Sequence, residues 1–159
     1  MPDSRLFWSL DFISGYFQIL LAEESQQYTA FVTPFIKFGY RRLPQGFNDS
    51  GDAFGYLMDD IVKEIPRVVK SVNDLLGQCR TIQECWDTLS EVLYRVIQKN
   101  MVVCPKKFQI GTTFSYGGFV LEVKEGCPIK ILLDESRLKE LLEPAPPSSK
   151  TELHIFFDL

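Results

Sequence analysis

The stretch Val68–Cys79 constrains this chain most, because two apolar runs flank the polar turn Asn73-Asp74. Asn and Asp tolerate tight-turn geometry, so the pattern predicts a β-hairpin, Val68–Val72 against Leu75–Cys79. Sixty-two positions ahead of Asn73, the short apolar run Leu6–Leu10 ends in Asp11, which reads as a further strand closing on a carboxylate. Strand-end acids gathered from distant segments make a seat for a hard divalent cation, which prefers carboxylate oxygens. The plain alternative is that Asp11 caps the turn at Ile13-Ser14-Gly15 and that Asn73-Asp74 is only a turn.

Elsewhere the first half reads as strands: Phe17–Leu21, Tyr28–Phe35 and Gly39–Leu43. Asp49-Ser50-Gly51-Asp52 offers helix-cap chemistry, Phe54, Leu57, Met58 and Ile61 recur at helical spacing, and Pro66 closes that helix. Thr81-Ile82-Gln83-Glu84 fits a capping box, and Ile82, Trp86, Leu89, Leu93 and Ile97 predict an amphipathic helix reaching Asn100. Strands are expected at Met101–Val103, Phe114–Val123 and Ile129–Leu132, then a short helix from Asp134 to Leu142 and a stiff linker at Pro144–Ser149. At 159 residues and 45% hydrophobic content the chain can bury a core. No apolar stretch is long enough to span a bilayer. Cys79, Cys85, Cys104 and Cys127 lack zinc spacing and read as reduced intracellular thiols. A net charge of −4 disfavours unaided binding to a polyanion.

Several motifs in order carry a resemblance. Leu10-Asp11-Phe12-Ile13-Ser14-Gly15-Tyr16-Phe17-Gln18-Ile19 resembles the first catalytic motif of reverse transcriptases from gypsy-type LTR retrotransposons. Thr29–Pro34, Arg42-Leu43-Pro44-Gln45-Gly46-Phe47, the lysine motif Pro105-Lys106-Lys107 and the primer-grip-like Tyr116-Gly117-Gly118-Phe119-Val120 follow in the family's order. The resemblance implies an α+β polymerase palm, a ferredoxin-like antiparallel sheet with helices packed on one face. It places the palm at 1–133 with a fingers hairpin at about 20–43, and the start of a truncated thumb at 134–159.

By the same resemblance Asp11 binds two Mg²⁺ ions, with the turn residues Asn73 and Asp74 beside it. Phe12, Tyr16, Gln45 and Gly46 contact the deoxynucleotide and template, and Lys106 or Lys107 approaches the triphosphate. Tyr116 and Gly118 belong to the primer grip. The partners implied are deoxynucleotides and an RNA or DNA template-primer. Self-association through exposed apolar surface is a further expectation, and no membrane partner is expected.

Three departures bear on activity. The family carries aromatic-x-Asp-Asp where this chain has Ser71-Val72-Asn73-Asp74. An amide at 73 loses an anion, and Asp74, one residue along, is expected to point to the opposite side of its strand. Loss of a main metal ligand costs roughly a thousandfold in rate, so the expectation is a degenerate copy with little activity. Gly117 also stands where a bulky apolar residue is usual. The alternative is a non-enzymatic palm remnant that binds protein or RNA. The adjacent Asp59-Asp60 sits in a helical pattern and reads as solvent-facing, and the lone His154 has no partner for base catalysis.

Overall fold

A computed structural model describes residues 5–71, 73–116, 118–124, 127 and 129–135. The chain divides into two compact units, 1–112 and 113–159. In the first, strand β1 (Leu6–Asp11) is followed by a 3₁₀ turn at Gly15–Gln18, a short helix α1 (Glu23–Gln26), a second 3₁₀ turn at Gln27–Thr29, and the small hairpin β2 (Phe31–Val32) and β3 (Lys37–Phe38). Helix α2 (Asn48–Val62) leads to β4 (Val68–Ser71), β5 (Asp74–Cys79), helix α3 (Ile82–Gln98), a 3₁₀ turn at Pro105–Lys107 and β6 (Gln109–Gly111). The second unit contains an antiparallel meander of β7 (Thr113–Tyr116), β8 (Phe119–Glu122) and β9 (Lys130–Leu133).

The sheet of the first unit runs β4-β5-β1-β6 and is antiparallel at every pairing. The expected hairpin is present, with Ser71 paired to Asp74 across the turn. Trp8, Leu10 and Phe12 alternate onto one face, as the period of a strand requires. There they meet Leu75 and Cys79, Phe54, Met58 and Ile61 of α2, and Cys85, Val92 and Val96 of α3 in one core. Helices over one face of an antiparallel sheet give the α+β palm expected. Burying each of the largest of these side chains contributes about 2–3 kcal/mol. Gly77 stands opposite Trp8 in the register, and a Cβ there would lie 1.9 Å from the indole. The missing side chain is the room into which the ring packs.

Several local expectations give way to tertiary context. The expected strand Phe17–Leu21 starts inside the 3₁₀ turn Gly15–Gln18, where Gln18 turns to bond backbone groups, and keeps only one bridge, Leu20 to Arg42. Of Tyr28–Phe35 only Phe31–Val32 is a strand, β2, and its partner β3 lies at Lys37–Phe38; the expected Gly39–Leu43 strand contributes a single bridge, Arg42 to Leu20. Met101–Val103 contributes one bridge, Phe12 to Val103. Phe114–Val123 is a hairpin broken near Gly118, whose φ of 83° a side chain would resist.

Helix α2 begins at Asn48 with no side-chain cap, and Ser50 Oγ instead donates to the Pro44 carbonyl at 2.7 Å. Thr81 does cap α3, accepting from the Glu84 amide at 3.1 Å. Cys79 and Cys85 are joined in a disulfide between the end of β5 and the first turn of α3, against the expectation of reduced thiols; Cys104 and Cys127 are free. The Asp134–Leu142 helix, the 144–149 linker, the thumb-like segment beyond residue 135, and His154 lie outside the described residues. Among the described residues no helix is long and apolar enough to cross a membrane.

Candidate active site

β1 and β5 pair so that Asp11 lies directly opposite Asp74. The Phe12 amide then donates to the Asn73 carbonyl at 3.3 Å, closing the ladder at the turn. Directly opposed residues of an antiparallel pair project to the same face, so Asp74, not Asn73, meets Asp11. The expectation that Asp74 points away treated neighbouring residues of one strand correctly, but it did not fix the register against β1. The two carboxyl groups share a hydrogen bond, and the Asp74 carboxyl is pushed above its ordinary value of 3.8, first by burial and then by the negative charge of Asp11. Asn73 Oδ1 is buried and has no hydrogen-bond partner among the described residues.

A third element completes the cluster. The Cys104 amide donates to the Asp11 carbonyl at 2.7 Å, which sets the 3₁₀ turn Pro105–Lys107 beside the strand end. From that turn Lys107 Nζ reaches Asp11 Oδ2 at 2.8 Å, and this hydrogen bond holds the ammonium above its usual value. Of the two candidate lysines, Lys107 therefore faces the carboxylates. Lys106 is exposed.

Gln18 holds these pieces in register, and the sequence reading passed over it. Its Nε2 donates to the carbonyls of Ile13 and Val102 at 2.5 and 2.9 Å, and its Oε1 accepts from the Val102 amide at 2.6 Å. One amide side chain thus ties the turn after Asp11 to the segment before Lys107. The only signal was a polar residue two places inside an apparent apolar strand.

Tyr16 stacks on Phe54 with ring centroids 4.9 Å apart, and Phe12 meets the same ring edge-on at 6.2 Å. Gly15 leaves the room for this, since a Cβ there would come within 2.7 Å of Phe54. Tyr16, Phe54, Gly55, Asp59 and Lys70 line a cleft of about 420 Å³. Gln45 and Gly46 are exposed in the loop before α2, with Gly46 at φ 91°. Tyr116 and Gly118 form the β7–β8 turn of the second unit; Gly117 lies outside the described residues. Asp59 pairs with Lys70 at 2.6 Å and Asp60 with Lys99, both on the exposed side of α2.

Among the described residues no group of three or more His, Cys, Asp or Glu side chains converges as a metal cluster. What converges is two carboxylates and the Lys107 ammonium. Burial and the charge of Asp11 both raise the Asp74 carboxyl, which marks a place where negative charge is crowded, and a hard dication fits between such carboxylates.

The family model for reverse transcriptase (RNA-dependent DNA polymerase) matches residues 1–121. The chain belongs to the reverse transcriptase family. Over its full length it is 28% identical to the retrovirus-related Pol polyprotein from transposon opus of Drosophila melanogaster, of which it spans 16%. It is 27% identical to the corresponding polyprotein from transposon gypsy, over 98% of the chain and 15% of that protein. The Pro-Pol polyprotein of simian foamy virus type 1 is 30% identical over 95% of the chain and 13% of its own length. The fold matches a foamy viral protease-reverse transcriptase in complex with RNA/DNA hybrid, with a TM-score of 0.84 over 98% of the chain, 21% of that structure and 22% identity. This is a reverse transcriptase domain of retrotransposon type, and it spans less than a quarter of each of these relatives.

Proposed function

We propose that this reverse transcriptase domain binds a template-primer duplex and a single Mg²⁺, and that it adds deoxynucleotides to the primer only very slowly. The observation that carries the reading is the Asp11–Asp74 carboxyl pair, preceded in the chain by Asn73 where the family has a further aspartate. Asp11 and Asp74 would hold the cation. When bound, the cation would activate a primer hydroxyl and neutralise triphosphate charge.

The remaining work falls to this chain's own side chains. Lys107, kept protonated by Asp11, is placed to hand a proton to the departing pyrophosphate. Tyr16, braced by Phe54, offers a flat ring against the sugar, and Gln45 and Gly46 offer polar and backbone contacts to the nucleotide. Template-primer as the partner follows from the relatives, one of which was solved with RNA/DNA hybrid and another with double-stranded DNA. A palm that binds nucleic acid without copying it is the second reading, and Asn73 is what favours it.

Titration calorimetry with Mg²⁺, run beside primer extension on an RNA template, tests the proposal. The expected result is one Mg²⁺ site, lost in both Asp11→Ala and Asp74→Ala, with extension barely above the Asp11→Ala background. Absence of any Mg²⁺ binding would remove the metal site. Rapid extension that collapses in Asp11→Ala would remove the claim of slow chemistry.

A further inference from the structure

Helix α3 carries more apolar surface than the core uses. Its Cys85, Val92 and Val96 are buried against the sheet and α2. The repeat Ile82, Trp86, Leu89, Leu93, Ile97 was expected to be that buried face and lies beside it instead. Leu89 and Leu93 are half-covered, whereas Ile82 is 76% exposed, Trp86 66% and Ile97 67%, with Tyr94 at 60% on the same flank. At 100° per residue the five aliphatic and indole side chains fall within an arc of roughly 80°, so they form one continuous stripe along the helix. Together the four exposed side chains present roughly 600 Å² of largely apolar surface, at the upper end of what single chains leave bare.

The stripe is nearly symmetric about Ser90. Ile82 and Ile97 lie at comparable distances on either side, as do Trp86 and the pair Leu93 and Tyr94. The polar border is arranged the same way, with Gln83 and Asp87 on one side of the midpoint and Tyr94 and Gln98 on the other. Among the described residues Asp87 accepts from Gln83, at 2.9 Å.

We propose that α3 is a self-association surface, its apolar stripe covered by the same stripe of a second copy running antiparallel. In that arrangement Ile82 meets Ile97, Trp86 meets Leu93, and each Tyr94 hydroxyl can donate to Asp87 of the second copy. Such an isologous contact closes on itself and stops at two copies. About 1,200 Å² would be buried in total, the lower bound for specific association, so a dissociation constant on the order of 10–100 µM is expected. The proposal does not depend on metal binding or polymerisation.

Sedimentation equilibrium of the full chain from about 1 to 200 µM provides the test. The wild type should pass from monomer to dimer with no higher species. Trp86→Glu and Ile97→Glu should each weaken dimerisation at least tenfold while leaving the far-ultraviolet spectrum of the monomer unchanged. Spin labels on Ser90→Cys, in a background of Cys104→Ser and Cys127→Ser, should lie close together across the dimer. Labels on Ile82→Cys should be about 24 Å further apart along the helix axis. A monomer throughout, a dimer indifferent to both Glu variants, or 82–82 distances shorter than 90–90 would each overturn the proposal. Should a Glu variant perturb folding, the label distances decide alone.

Discussion

Restoring a carboxylate at the hairpin turn is the most direct probe of this domain. In Asn73→Asp the buried, unpartnered amide oxygen of residue 73 becomes part of an anion one residue along from Asp74, whose carboxyl is already raised by burial and by Asp11. A further charge one residue along the chain, at about 6 Å, repels by roughly 3 kcal/mol at an effective dielectric near 20. Partial exposure of the strand end and the Lys107 ammonium reduce this to about 1–2 kcal/mol. The metal-free variant should therefore melt about 2–8 °C below wild type. Mg²⁺ should reverse the deficit and stabilise the variant more than it stabilises the wild type. In primer extension on an RNA template the same change should raise the Mg²⁺-dependent rate by about a thousandfold, some 4 kcal/mol of transition-state stabilisation. Differential scanning calorimetry with and without Mg²⁺ reads the first effect and single-turnover extension the second. If Asn73→Asp melts identically with and without Mg²⁺ and extends no faster, residue 73 is not at the metal site and the reasoning fails.

Three other perturbations follow from the geometry. The folded-state carboxyl of Asp74 titrates above 3.8, so its contribution to stability is fully present below that pH and is lost as pH rises through the raised value. Asp74→Asn should thus melt above wild type at pH 7 and level with it near pH 3, read by urea midpoints across pH. Gly77→Ala places a methyl group 1.9 Å from the Trp8 indole on a central strand that cannot yield. It should cost about 3 kcal/mol or more and shift the fluorescence of Trp8. Gln18→Leu keeps the size of the side chain but removes three hydrogen bonds to Ile13 and Val102. A loss of about 2–3 kcal/mol in chemical denaturation and a weaker Mg²⁺ titration are expected, because the Asp11 turn and the Lys107 turn are no longer tied together.

The elements that local chemistry dictates were legible in the sequence. Two apolar runs around Asn73-Asp74 gave the hairpin, and Thr81 with Glu84 gave the start of α3. Asp11 at the end of its strand is likewise plain from the chain alone. Register was not: a strand's alternation says which residues share a face but not which residue of another strand stands opposite. The position of Asp74 across from Asp11 therefore emerged only from the pairing of β1 with β5. Helix α3 failed in a related way, since its periodicity spans an arc wide enough for two apolar faces and the sheet covers only the one centred on Cys85, Val92 and Val96. Phe17–Leu21 looked like a strand because its residues favour extended backbone, and the inward bonds of Gln18 overrode that preference. Between Lys106 and Lys107 nothing in the sequence decides; the 3₁₀ turn after Cys104 does.

β1, which carries Asp11, is hydrogen-bonded along both edges, to β5 on one side and β6 on the other. Displacing the strand that ends in that aspartate means unzipping two ladders at once, so the amides of Phe7–Ser9 belong with the last to exchange with solvent. Ligand chemistry at the hairpin tip can consequently drift through single substitutions while the frame around it stays put. A lineage of such domains would lose or regain catalysis far more readily than it would lose its shape.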